Sequence, residues 1–185
     1  MAPLYAATLF VSAFLLFLVQ PMVGKMVLPL VGGTPAVWNT CMVFFQAVLL
    51  AGYSYAHATT DRLGVRTQAR WHLLLLALPL AVLALTAAFS DAHAPIAVFR
   101  DLAPQGRDYP FFGLVVLLTV TIGLPFFVVA TSAPLLQKWF TATGDPSASD
   151  PYFLYAASNL GSMLALIAYP VLLEPTLRLS QQGWV

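Results

Sequence analysis

Residues 4–31 read LYAATLFVSAFLLFLVQPMVGKMVLPLV, twenty-eight positions with a single charge, Lys25. A hydrocarbon core about 30 Å thick is crossed by roughly 20 apolar residues in a helix. Lipid offers no partner for a backbone N–H or C=O, so a block of this kind must be helical. Two prolines interrupt it. Pro21 removes a donor and leaves the carbonyl of Phe17 without its helical partner. Two readings compete. The helix stops near Gln20 and a short re-entrant piece follows, or it continues, kinked, to about Val31. Gly32-Gly33-Thr34-Pro35 is the stronger turn signal, which favours the long kinked helix. A cleaved secretory signal is the weaker reading of this end. No Lys or Arg precedes residues 4–19, and Gln20-Pro21 follows where a small-x-small site would stand.

Outward from this segment the pattern repeats. Further apolar blocks occupy residues 36–58, 71–89, 111–140 and 152–173. Over the 185 residues, apolar side chains make up 60% and charged ones only 8%. An ordinary globular domain carries roughly 25% charged residues, so this chain lacks the polar coat of a soluble fold. The expected fold class is an all-α integral membrane protein, a bundle of about five transmembrane helices forming a single domain over residues 1–185, with the lipid bilayer as its first partner. The net charge of +1 shows no basic cluster suited to nucleic acid. Cys41 is the only cysteine, so neither an internal disulfide nor a cysteine-rich metal site is available; its apolar setting reads as packing.

The connections carry the polarity. Residues 59–70, TTDRLGVRTQAR, read as a basic loop holding Arg62, Arg66 and Arg70. Residues 90–110 form the longest polar stretch, within which IAVFRDL reads as a segment along the membrane surface. The tail EPTLRLSQQGWV ends on an apolar pair that reads as the start of a further segment. Trp38, Tyr53 and Tyr55 suit the two interfaces of the second helix. With the N-terminus inside, four basic residues fall on each side (Arg62, Arg66, Arg70, Lys138 against Lys25, Arg100, Arg107, Arg178), so charge counting alone does not orient the chain. The densest basic loop, after the second helix, favours N-inside.

Three stretches are specific enough to compare: QPMVGKMVLPLVGGTPAVWNTCMVFFQAVLLAGYSYAH (20–57), SAPLLQKWF (132–140) and DPYFLYAASNLGSMLALIAYPVLLEP (150–175). Together they resemble the membrane domain of the bacterial fused major-facilitator-like/spermidine synthase family. The resemblance implies a bundle like the first half of a major facilitator fold, in a bacterial inner membrane, beside a soluble aminopropyltransferase-like domain. DRLGVR, Asp61 to Arg66, is similar to the loop joining the second and third facilitator helices, which is cytoplasmic and again favours N-inside. It marks Asp61, Arg62 and Arg66 as topology residues. The synthase part has no counterpart here. No Gly-rich strand-turn-helix element occurs, and Gly32-Gly33 lacks nucleotide-fingerprint spacing. No catalytic residue, cofactor or polyamine contact is therefore carried over.

Polar groups within apolar helices are the remaining candidates, because they are costly in a bilayer and usually face the interior or a cavity. Asn39, Gln46 and Tyr53 stand seven apart in the second helix. Tyr155, Asn159 and Ser162 lie on one face of the last. These six are the candidate lining of a small polar cavity, expected to point inward; the competing reading is interhelical hydrogen bonding. Lys25 and Glu174 fall at the same membrane face and are the candidate ion pair, against a snorkelling Lys25 and a solvated Glu174. His57 and His72 read as solvated interfacial residues, since no spacing makes a metal site.

Three functional classes follow. One is the non-catalytic membrane module of a fused synthase-like protein, binding or passing a small solute. Another is an accessory subunit packed in a larger membrane complex. The third is a half-size transporter acting as a dimer. The corresponding partners are a fused soluble domain, other membrane subunits, or a second copy. None requires a cofactor.

Overall fold

The computed structural model describes residues 1–89, 94–99, 102–103 and 110–184. Helix α1, Ala2–Val31, takes Pro3 in its first turn, where the missing N–H has no helical partner to lose. It runs on through Pro21 and Pro29 and stops at Gly32. The positive φ of Gly32 (83°) suits a residue without a Cβ, and its N–H closes the last turn on the Leu28 carbonyl at 2.8 Å.

The next helical run, Pro35–Phe89, has 55 residues and is not one rod. Gly64, at φ 68° and ψ 163°, breaks it. As one straight helix, Tyr55 and His72 would stand about 25 Å apart along the axis. Their ring centroids are instead 6.2 Å apart, so the chain folds back on itself. We call the arms α2 (35–63) and α3 (65–89). The basic loop expected over residues 59–70 is thus corrected to two helix ends hinged on one glycine. Arg, Gln and Ala are good helix formers, and polarity at a helix end signals water, not loss of helix.

Helix α4 (110–141) contains a π-helical turn, Thr119–Gly123, just before Pro125. A 3₁₀ turn, Pro146–Ser149, leads into α5, Tyr152–Thr176, which carries a second π turn, Tyr169–Leu173, beginning at Pro170's neighbour. A short α6, Leu179–Gln182, closes the described chain. Each π turn lies beside a proline, Pro125 or Pro170, whose missing N–H interrupts the regular helical bonding. No strand occurs among the described residues. Four helical runs are long and apolar enough to cross a membrane: Ala2–Val31, Pro35–Phe89, Phe111–Thr141 and Tyr152–Thr176. The expected surface segment 96–102 falls partly outside the described residues.

Helix α1 packs chiefly on α5 and then on α4, and α2 packs on α4. Small residues set both close approaches. A Cβ at Gly161 would collide with the carbonyl oxygen of Phe10, and one at Gly52 would lie 3.1 Å from the Cβ of Ala130. Between these seams lies the main core, with Val23, Phe45, Leu118, Ile122 and Phe126 buried and the rings of Phe45 and Phe126 4.8 Å apart. A second, smaller core of Leu9, Phe140 and Leu154 ties the start of α1 to the end of α4 and the start of α5. Helix α3 stands outermost. Leu73, Leu74, Leu80 and Leu85 are all more than half exposed.

These contacts define two ends. One holds the start of α1, the α2–α3 hinge and the α4–α5 connection. The other holds the α1–α2 turn, residues 94–99 and the tail.

Candidate functional site

At the tail end Lys25 and Glu174 meet, the ammonium donating to a Glu174 carboxylate oxygen. Lys25 stands between the two prolines of α1, and Glu174 directly follows the π turn of α5. Both side chains keep more than a third of their surface exposed (37% and 39%), so water weakens the attraction. The tail docks beside this pair. The Tyr169 hydroxyl donates to Gln182 Oε1 at 3.0 Å, Gln182 Nε2 donates to the Leu177 carbonyl at 2.9 Å, and the Ile96 N–H donates to the Gly183 carbonyl at 3.3 Å.

The polar stripes are placed differently from expectation. Asn39, Gln46 and Tyr53 are exposed, as are Tyr155 and Asn159, while Ser162 is half-buried. The stripes do not point into the bundle and do not meet in a closed cavity. Helix α2 turns Phe45 and Gly52 toward α4 and the core, and the amides are left outside. The two stripes are nevertheless neighbours. Gln46 of α2 and Leu166 of α5 border one cavity of about 290 Å3, floored by Phe17, Gln20 and Pro21 of α1. Leu166 continues the α5 stripe, seven residues after Asn159, which is two helical turns. Gln46 and Leu166 thus face one another across a groove over α1, between α2 and α5.

At the hinge end a second polar cavity, about 470 Å3, is lined by Tyr53, His57, Thr60, Asp61 and Lys138. His57 Nε2 lies 3.5 Å from Asp61 one turn on, both well exposed. Arg62 and Arg66 are on the hinge beside Asp61 and exposed to solvent. His72 is the exception to the solvated reading. It is buried, only 4% exposed, between Tyr55 and the indole of Trp139.

Beside it sits the residue that sequence reasoning passed over. Gln68 is fully buried. Its Nε2 lies within hydrogen-bond distance of the Ala56 carbonyl (3.1 Å) and the hydroxyls of Thr59 and Thr60 (2.7 Å each), and its Oε1 accepts from Trp139 Nε1 at 2.9 Å. The available signal was a lone amide inside TTDRLGVRTQAR with two threonines eight and nine residues before it.

Asp145 heads the Pro146–Ser149 turn and gathers three donors: the Ser147 N–H at 3.0 Å, the Met1 amino group at 3.1 Å and the Ala2 N–H at 3.3 Å. The Ser147 N–H first, and the Met1 ammonium next, hold its carboxyl below the usual carboxylate range. No group of three or more His, Cys, Asp or Glu is placed to hold a metal among the described residues. No protein-family model, no curated protein and no solved structure matches the chain. The resemblance to the fused facilitator/spermidine synthase family therefore rests on the three sequence stretches alone.

Proposed function

We propose that the chain is a non-catalytic, multi-pass membrane module, facilitator-like in its first half, whose groove between α2 and α5 is one wall of a path that binds or passes a small solute. The observation that carries this reading is the position of the polar stripes. On a surface facing lipid, Asn39, Gln46 and Asn159 would lose their hydrogen bonds to water and gain none. Gln46 lines a cavity with Gln20 below, and Asn39 and Asn159 stand exposed on the same two helices, where these amides instead offer donors and acceptors to water, to a solute, or to a covering protein wall. A bacterial inner-membrane setting with the N-terminus inside accords with the family resemblance and with the arginines gathered at the hinge.

Swelling of proteoliposomes tests the passage. Vesicles carrying the protein and shrunk in small uncharged solutes should recover volume faster than empty vesicles, and Gln46→Leu with Asn159→Leu should remove the excess. Rates equal to empty vesicles for every solute would take passage out of the reading.

A second reading, an accessory subunit in a larger membrane complex, is favoured by α3, whose leucines have little to pack on within this chain. A stable larger partner retained in mild detergent and lost on Leu78→Asn or Leu85→Asn would support it.

A further inference from the structure

The cavity at the centre of the groove has a chemistry that limits its occupant. Its lining is aromatic, aliphatic or sulfur-bearing except for two carboxamides, Gln20 and Gln46. No side chain lining it carries a charge at neutral pH. Lys25, one turn beyond Pro21, is engaged by Glu174. A cation or an anion entering here would leave water without meeting a counter-ion, an exchange strongly disfavoured in an apolar setting.

Hydrogen-bonding capacity is nonetheless open. Gln20 uses one N–H on the Leu16 carbonyl, a long contact of 3.4 Å, and keeps its carbonyl oxygen. Among the described residues, neither the Gln46 amide nor the Trp38 indole N–H has a hydrogen-bond partner. The wall is also held in place. The Trp38 ring lies against α1 at Gly24, where even a Cβ would sit 3.0 Å from it. Its position is thus set by packing, leaving a flat aromatic surface at the cavity. A volume of about 290 Å3 lies near the lower end of small-molecule sites.

We infer that this cavity is a binding site for an uncharged solute with a flat apolar body and one amide-like hydrogen-bonding group, held by Gln20 and Gln46 against Trp38. The inference rests on the reading of the groove as a solute path only for the route by which the ligand arrives.

Cys41 provides the probe. It is the only cysteine of the chain and lines this cavity. Its alkylation by N-ethylmaleimide would be timed in proteoliposomes with benzamide, benzoate or benzylamine, one ring in neutral, anionic and cationic form. Millimolar benzamide should slow the reaction at least about fivefold, and the two ions should leave it unchanged. Gln46→Leu should abolish the protection while keeping the melting temperature, and Leu85→Ala, on the far side of the molecule, should retain it. Equal protection by all three compounds, protection by none, or a Cys41 that does not react at all would overturn the site. Protection of Cys41 beside a groove closed to water would keep the site and remove the path. A wet groove without protection would do the reverse.

Discussion

Trp139 of α4 donates its indole N–H to the buried carboxamide of Gln68 in α3, at 2.9 Å across 71 residues of sequence. The same carboxamide reaches back to the end of α2 through Thr59, Thr60 and the Ala56 carbonyl. One side chain thus fastens both arms of the hinge to α4. Removing it strands several buried polar groups at once, each worth about 1–3 kcal/mol. We expect Gln68→Leu to destabilise the protein by roughly 2–4 kcal/mol and Trp139→Phe by about 1 kcal/mol. A double-mutant cycle read by thermal melting in detergent should show coupling. Additive losses would mean that the contact contributes nothing of its own.

The seam between α1 and α5 depends on Gly161. A methyl group there meets the Phe10 backbone, which cannot rotate away as a side chain could. Gly161→Ala should therefore lower the melting temperature sharply, and Gly161→Val should abolish the folded state. Gly144→Ala, which meets nothing within 4 Å, is the control and should be near neutral. Comparable melting of the Gly161 and Gly144 variants would contradict the packing described.

Lys25 and Glu174 are each more than a third exposed, so their pairing should be worth only about 0.5–1 kcal/mol. Lys25→Met, Glu174→Gln and the double variant should show a coupling of that size that shrinks as salt is raised. Strictly additive effects at low salt would sink the pairing.

The Asp145 carboxyl is held below its ordinary pKa in the fold. Such a group contributes stability in full above its unfolded pKa, about 3.9, and loses it as pH falls through the lower folded value. Melting temperature should therefore drop as pH is taken below about 4, and Asp145→Asn should flatten that part of the profile. An unchanged profile in the variant would assign the acid sensitivity elsewhere.

Particular residues show what the sequence made legible. The turn at Gly32-Gly33-Thr34-Pro35 was stronger than either proline in α1, and the helix runs to Val31. The hinge was hidden because Arg62, Arg66 and Arg70 read as loop, although charge at the end of an apolar helix accords equally with a helix emerging into water. Gly64 alone breaks the run, and a single glycine among polar residues is a weak signal. For the stripes, spacing groups Asn39 with Gln46 and Tyr155 with Asn159, and all four are exposed. Spacing fixes which residues share a face, not which way that face turns. The direction was decided by Gly52 and Phe45, which draw the opposite face of α2 onto α4. The π turns left only Pro125 and Pro170 as traces, and proline also marks ordinary kinks.

Water in the groove separates a solute path from a wall packed on lipid, and cysteine accessibility in a bilayer measures it. In a Cys41→Ser background, single cysteines at Asn39, Gln46 and Asn159 would be treated with a charged, membrane-impermeant maleimide in nanodiscs, with Leu80→Cys and Leu85→Cys on α3 as lipid-facing references. Rapid labelling is expected at the three stripe positions and almost none at the two leucines. Stripe cysteines as unreactive as those on α3 would place these faces against lipid or against another protein and would contradict a solute path.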